Sequence, residues 1–148
     1  MTASRLYDEN TLSGMSEFDP YYLDKTSGEL QNRSASLARS VRAISHKISG
    51  CSWVDKKLVD QFCRAGTSIG ANVREAKFSE SNRDFLHKLK IAEKELGEFF
   101  FWLGLLNSEP TLVNEDLGRQ LFNDAMAVRN FLRAAILTMR RKLNSSSS

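Results

Sequence analysis

The sequence predicts an all-α protein, an antiparallel up-down-up-down four-helix bundle. Three observations carry this. Apolar residues recur at steps of three and four in four successive segments. Only two prolines and eight glycines interrupt 148 residues, which leaves room for long helices and supplies too few turns for a many-stranded sheet fold. The separators between the segments are short, and helices joined by short connections pack antiparallel in chain order.

The first segment runs from about Gly28 to Ile48. Leu30, Ser34, Leu37, Val41, Ile44 and Ile48 share one face, and Gly50 suits the C-terminal cap. The second runs from about Val54 to Lys77, with Ser52 and Asp55 at capping-box spacing. Its stripe is Leu58, Phe62, Ala65, Ile69, Val73 and Ala76. Gly66 and Gly70 lie inside it, and with Ala65 and Ala71 they predict a small-residue face that another helix approaches closely. No phosphate-loop spacing surrounds these glycines.

The third segment runs from about Ser81 to Asn107, with Ser81 and Asp84 marking its start. Phe85, Leu89, Ala92, Leu96, Phe99, Leu103 and Leu106 alternate four and three without a break. Phe100, Phe101, Trp102 and Leu105 widen the apolar surface, so this helix is expected to be buried on more than one side. Pro110 breaks the chain. The fourth segment runs from about Asn114 to Leu143, with Asn114 as cap and Glu115 and Asp116 facing the positive helix end. Its stripe is Leu117, Leu121, Ala125, Val128, Leu132, Ala135 and Met139.

The organisation is therefore a flexible acidic arm over 1–26, a bundle over 27–143 and a polar tail over 144–148. Residues 1–28 hold Arg5 and Lys25 against Asp8, Glu9, Glu17, Asp19 and Asp24, a net charge of −3. The rest of the chain carries +6. A basic body favours polyanionic partners. Cys51 and Cys63 have no clustered ligands around them, so neither a zinc site nor any other metal or cofactor is expected, and two free thiols fit a reducing cytoplasm. No segment has the length and apolarity of a membrane helix.

No nucleophile and base are paired. His46 and His87 stand without partner motifs. Asp84 and His87 have the spacing of a di-metal bundle motif, but Asp replaces Glu and no second copy exists. An enzyme is not expected, and no catalytic residue is assigned. Arg64, Ser68, Asn72 and Glu75 recur beside the second stripe, and Glu95 and Glu98 flank the third. They predict a buried structural polar network that fixes helix register. Arg33, Arg39, Arg42 and Lys47 on the first helix follow its only acid, Glu29. Arg129, Arg133, Arg140, Arg141 and Lys142 on the fourth follow Asp124. With no acids interspersed, these residues are the candidate nucleic-acid-binding surface. The first and fourth helices are neighbours in such a bundle, so the two stripes are expected to merge. Arginine suits phosphate through its planar fork.

Phe62 through Ala76, containing Arg64-Ala65-Gly66-Thr67-Ser68-Ile69-Gly70-Ala71-Asn72, resembles the bacterial four-helix bundle family, also called the 23S ribosomal RNA intervening-sequence protein family. Asp84 through Leu96, and Glu98 through Leu103, look like its second signature. The resemblance covers the two central helices. It implies a homopentameric ring with a central channel, and a relationship to the accessory variability determinant of diversity-generating retroelements, a basic bundle that binds nucleic acid and a partner reverse transcriptase. The expectation is thus a non-enzymatic homo-oligomer that binds RNA or DNA, as an accessory subunit of a reverse transcriptase. The alternative is a protein-interaction or structural scaffold bundle that binds no nucleic acid.

Overall fold

The computed structural model describes residues 28–52, 54–108 and 115–145. The expected arm, Asn114 as a cap, and residues 146–148 of the expected tail lie outside them. Four α-helices follow in order: α1 (Glu29–Ser49), α2 (Lys56–Ala76), α3 (Asn82–Ser108) and α4 (Glu115–Ser145). Each helix packs on the two beside it, α1 on α2 and α4, and α3 on α2 and α4, and among the described residues no diagonal pair meets. This is the four-helix bundle that the periodicity predicts.

Local chemistry sets the helix ends. The α2 N-cap is Asp55, whose carboxylate accepts from the Lys57 amide at 3.0 Å. Asp55 is thus the cap itself, not the third residue of a box begun at Ser52, and α2 starts two residues later than the pattern suggests. At α3, Ser81 Oγ accepts from the Asp84 amide at 3.0 Å, and Asp84 Oδ2 accepts from the Glu80 amide at 3.3 Å, as its start signal predicts. Gly50 does cap α1, but at φ −76° and ψ −11°, so its cap needs no left-handed backbone. α4 runs on to Ser145, into the first two residues of the expected tail.

The core follows the predicted stripes with two one-step changes. Val59 is buried and Leu58 only partly, and Ile136 is buried where Ala135 is only partly covered. In both places the larger share of burial goes to the β-branched neighbour 100° round the helix. Phe62 and Phe99, both fully buried, stack at 5.3 Å between ring centres and join α2 to α3.

Gly66 and Gly70 meet α1. A Cβ on Gly66 would stand 2.7 Å from Val41 Cγ1, and one on Gly70 would stand 3.1 Å from the Ser34 carbonyl oxygen. These glycines are the close approach that the sequence predicts. Ala65 and Ala71 do not share it: Ala65 turns into the core and Ala71 is exposed.

Candidate nucleic-acid interface

The basic residues of α1 divide between two faces. Arg33 donates to Glu29 Oε2 at 3.0 Å, and its guanidinium lies 5.3 Å from the centre of the Phe131 ring. It is committed to the seam between α1 and α4. Arg39, Arg42 and His46 turn 120–180° away from Arg33 at about 100° per residue, so they lie on the outer face of α1, away from that seam. With Ala43 they line an open concavity of about 520 Å³. Among the described residues none of the three has an ion-pair partner, because α1 carries no acid after Glu29 and no carboxylate of α2 reaches them. Lys47 is exposed, about 40° round α1 from Arg33.

On α4, Phe131 marks the side that meets α1. Arg129 is two residues earlier, about 200° round the helix, and so faces α3. There it lines a groove of about 380 Å³ with Phe100, Gly104, Asn107, Phe122 and Met126. Arg133 and Arg140 fall on the same flank by helical spacing. Arg141 is turned outward, and Lys142 lies toward α1. The expected merger of the two stripes therefore does not occur: Arg39, Arg42 and His46 lie on the outer face of α1, and Arg129, Arg133 and Arg140 lie on the α3–α4 edge. Adjacency of two helices brings together only the faces that each turns toward the other.

The polar residues of α2 and α3 do interact, at the surface and in separate pieces. Arg64 Nη1 donates to Glu95 Oε2 at 3.0 Å, Nη2 donates to Glu98 Oε2, and Nε donates to Gln61 Oε1 at 3.1 Å. The hydrogen bonds to Glu98 and then Glu95 raise the Arg64 pKa above its ordinary value. The Arg64 side chain is 45% exposed and Glu98 40%. Asn72 donates to the Ser68 carbonyl of its own helix at 2.8 Å, and Glu75 accepts from Lys88 Nζ at 2.9 Å. The expected buried network is thus a half-exposed arginine clasp, an intrahelical bond and a surface ion pair. These positions lie at the rim of the stripe, where long side chains reach water.

The apolar surplus of α3, which the sequence assigns to contacts between subunits, stays open within one chain. In the single chain α3 buries one side only. Phe101 is 60% exposed, Phe122 47% and Leu137 50%, and Leu105 is also open to solvent. Phe100 meets Phe122 edge-on at 5.6 Å, which continues the face from α3 to α4. On this face a Cβ at Gly97 or Gly104 would meet nothing within 4 Å. The Phe99-to-Trp102 run is the sequence signal of this open face. Among the described residues no three of His, Cys, Asp and Glu converge, and no helix is long and apolar enough to cross a membrane.

The family model described as the 23S rRNA-intervening sequence protein matches residues 27–134. A solved structure from Bacteroides thetaiotaomicron, described as a protein of unknown function from the S23 ribosomal protein family, is similar at 30% identity and a TM-score of 0.67. The similarity covers 72% of this chain and 97% of that one. No curated protein matches the sequence.

Proposed function

The chain belongs to the 23S rRNA-intervening sequence protein family, and from that premise we propose that it is a non-enzymatic, homo-oligomeric bundle that binds nucleic acid through arginine. The observation that carries the reading is the trio Arg39, Arg42 and His46. They line one concavity and have no acid among the described residues to neutralise them. Guanidinium forks in that setting engage phosphate oxygens pairwise. No base-reading motif accompanies them, so binding is led by charge and shape. Arg133 and Arg140, on the same flank of α4 as Arg129, supply a second contact, while Arg129 itself lines the apolar groove beside Gly104 and Phe122.

The test is fluorescence anisotropy with labelled single-stranded RNA and duplex DNA, at low and physiological salt. Binding should weaken steeply with salt, and Arg39→Glu with Arg42→Glu should remove most of it. No binding at low salt would sink this reading and leave a protein-interaction bundle.

The oligomeric part rests on the α3–α4 face. Exposed Phe101, Leu105 and Phe122 beside two unobstructed glycines suit helix-on-helix contact with another copy. A ring of five would sediment at roughly five times the 16.7 kDa chain mass. Gly97→Leu with Gly104→Leu should dissociate it without loss of helicity, and a wild-type chain that sediments as a monomer removes this part. The resemblance to the accessory variability determinant extends the proposal to service beside a reverse transcriptase. A reverse-transcriptase gene next to that of this chain supports the extension, and co-purification tests it.

A further inference from the structure

We infer that the acidic N-terminal arm docks on the Arg39–Arg42–His46 surface of its own chain and competes there with polyanions. The inference rests on the nucleic-acid reading for its consequence, but the docking stands or falls separately. Four observations support it.

The surface is charged and open: two arginines and a histidine line a concavity of about 520 Å³ with no ion-pair partner among the described residues. The chain outside the bundle carries the complementary charge. In its last ten residues before Ser27, Glu17, Asp19 and Asp24 are interleaved with Phe18, Tyr21 and Tyr22. Carboxylates pair with guanidinium forks, and aromatic faces stack on them. This molecule already uses that stacking once, at Arg33 over Phe131.

The lengths also agree. The arm joins the bundle at Gly28, where the backbone is extended and its surroundings are open. Laid back along α1, Asp24 reaches about 14 Å and Asp19 about 31 Å from Gly28 at ~3.5 Å per residue. Arg39 stands about 15 Å along the helix from Glu29 and His46 about 26 Å, at 1.5 Å per residue. The acids thus span the height of the basic trio. Finally, the family core does not include this segment. The matching model begins at residue 27, and the Bacteroides relative is covered over 97% of its length by 72% of this chain. The arm thus lies outside the residues that the family model matches. Its acids, tethered to the same chain, meet the arginines at a high effective concentration.

The experiment compares the full chain with a full-length variant carrying Glu17→Gln, Asp19→Asn and Asp24→Asn. The bundle is untouched in both. Arginine labelling by phenylglyoxal, read by mass spectrometry without nucleic acid, reports whether Arg39 and Arg42 are covered. Arg141, exposed on α4, is the internal reference. In the native chain Arg39 and Arg42 should react roughly threefold or more slowly than in the variant, and salt at about 0.5 M should erase the difference. Equal rates overturn the docking. Protection that fades on dilution overturns the same-chain assignment, because the arm then comes from another copy. Anisotropy with single-stranded RNA on the same two proteins tests the competition. The variant should bind about as many fold more tightly as its arginines are more reactive, and equal affinity overturns the competition. Protected arginines with no RNA binding by either protein leave the docking standing and remove the nucleic-acid reading. Equal labelling with tight RNA binding does the reverse.

Discussion

Gly66→Ala sets helix propensity against packing. In an exposed helix interior the change would stabilise by about 1 kcal/mol. Here the new methyl would lie 2.7 Å from Val41 Cγ1, 2.9 Å from Cγ2 and 3.1 Å from Cβ. Val41 is fully buried and sits within α1. A valine in a helix has one strongly preferred side-chain torsion, and both of its methyls already crowd the site, so rotation gives no relief. The helices must part or Val41 must strain. Overpacking of this kind costs about 1–3 kcal/mol, and the contacts here belong to the upper part of that range.

The expected net effect is destabilisation by about 1–2 kcal/mol, or roughly 4–8 °C in Tm for a domain of this size. Urea unfolding followed by circular dichroism measures it. The diagnostic arm is the double mutant with Val41→Ala. With both valine methyls gone, Gly66→Ala should turn neutral or stabilising, a coupling of about 1–3 kcal/mol. A stabilising Gly66→Ala in the wild-type background, or zero coupling, refutes the close-approach argument. Gly70→Ala should be milder, since its nearest atom is the Ser34 carbonyl oxygen at 3.1 Å.

Other changes test other parts of the fold. Arg64→Ala should destabilise by only about 1 kcal/mol, because a clasp this exposed is screened by water; Arg64→Lys should not restore it, since one ammonium replaces a fork that reaches Glu95 and Glu98 from separate nitrogens. Chemical denaturation of both variants checks this, and a loss of several kcal/mol for Arg64→Ala would mean the network is buried after all. The Lys88 pKa is raised above 10.5, chiefly by its hydrogen bond to Glu75. Its contribution is therefore complete below that pH and is lost as pH rises through the folded-state value. Lys88→Gln should flatten the alkaline limb of the stability curve, by an amount that high salt removes. Phe99→Ala should cost about 3–5 kcal/mol in urea unfolding, because it empties the stack on Phe62 at the centre of the core.

What the sequence determines by itself is whatever one helix can encode. Its 3.6-residue period is local, so the four helices and nearly all of their buried stripes are legible, including the unbroken run from Leu89 to Leu106. The Gly66–Gly70 step, with small residues around it, also announces the close approach that α1 makes. The exceptions are instructive. Val59 against Leu58, and Ile136 against Ala135, differ by one position, and packing on neighbouring helices decides which of the two is covered.

Tertiary structure alone decided what depends on the azimuth of one helix relative to another. The predicted rim residues do pair, Arg64 with Glu95 and Glu98, yet they do so half in water, because the seam between α2 and α3 closes on Phe62 and Phe99 inside them. The arginines of α1 and α4 form two stripes that the sequence expects to merge, and in space they face different ways. Arg33 over Phe131 fixes the seam, and Arg39, Arg42 and Arg129 turn away from it. A helix period gives the angle between two residues of the same helix. Only packing gives the angle between one helix and the next, and that angle decides which charges share a surface.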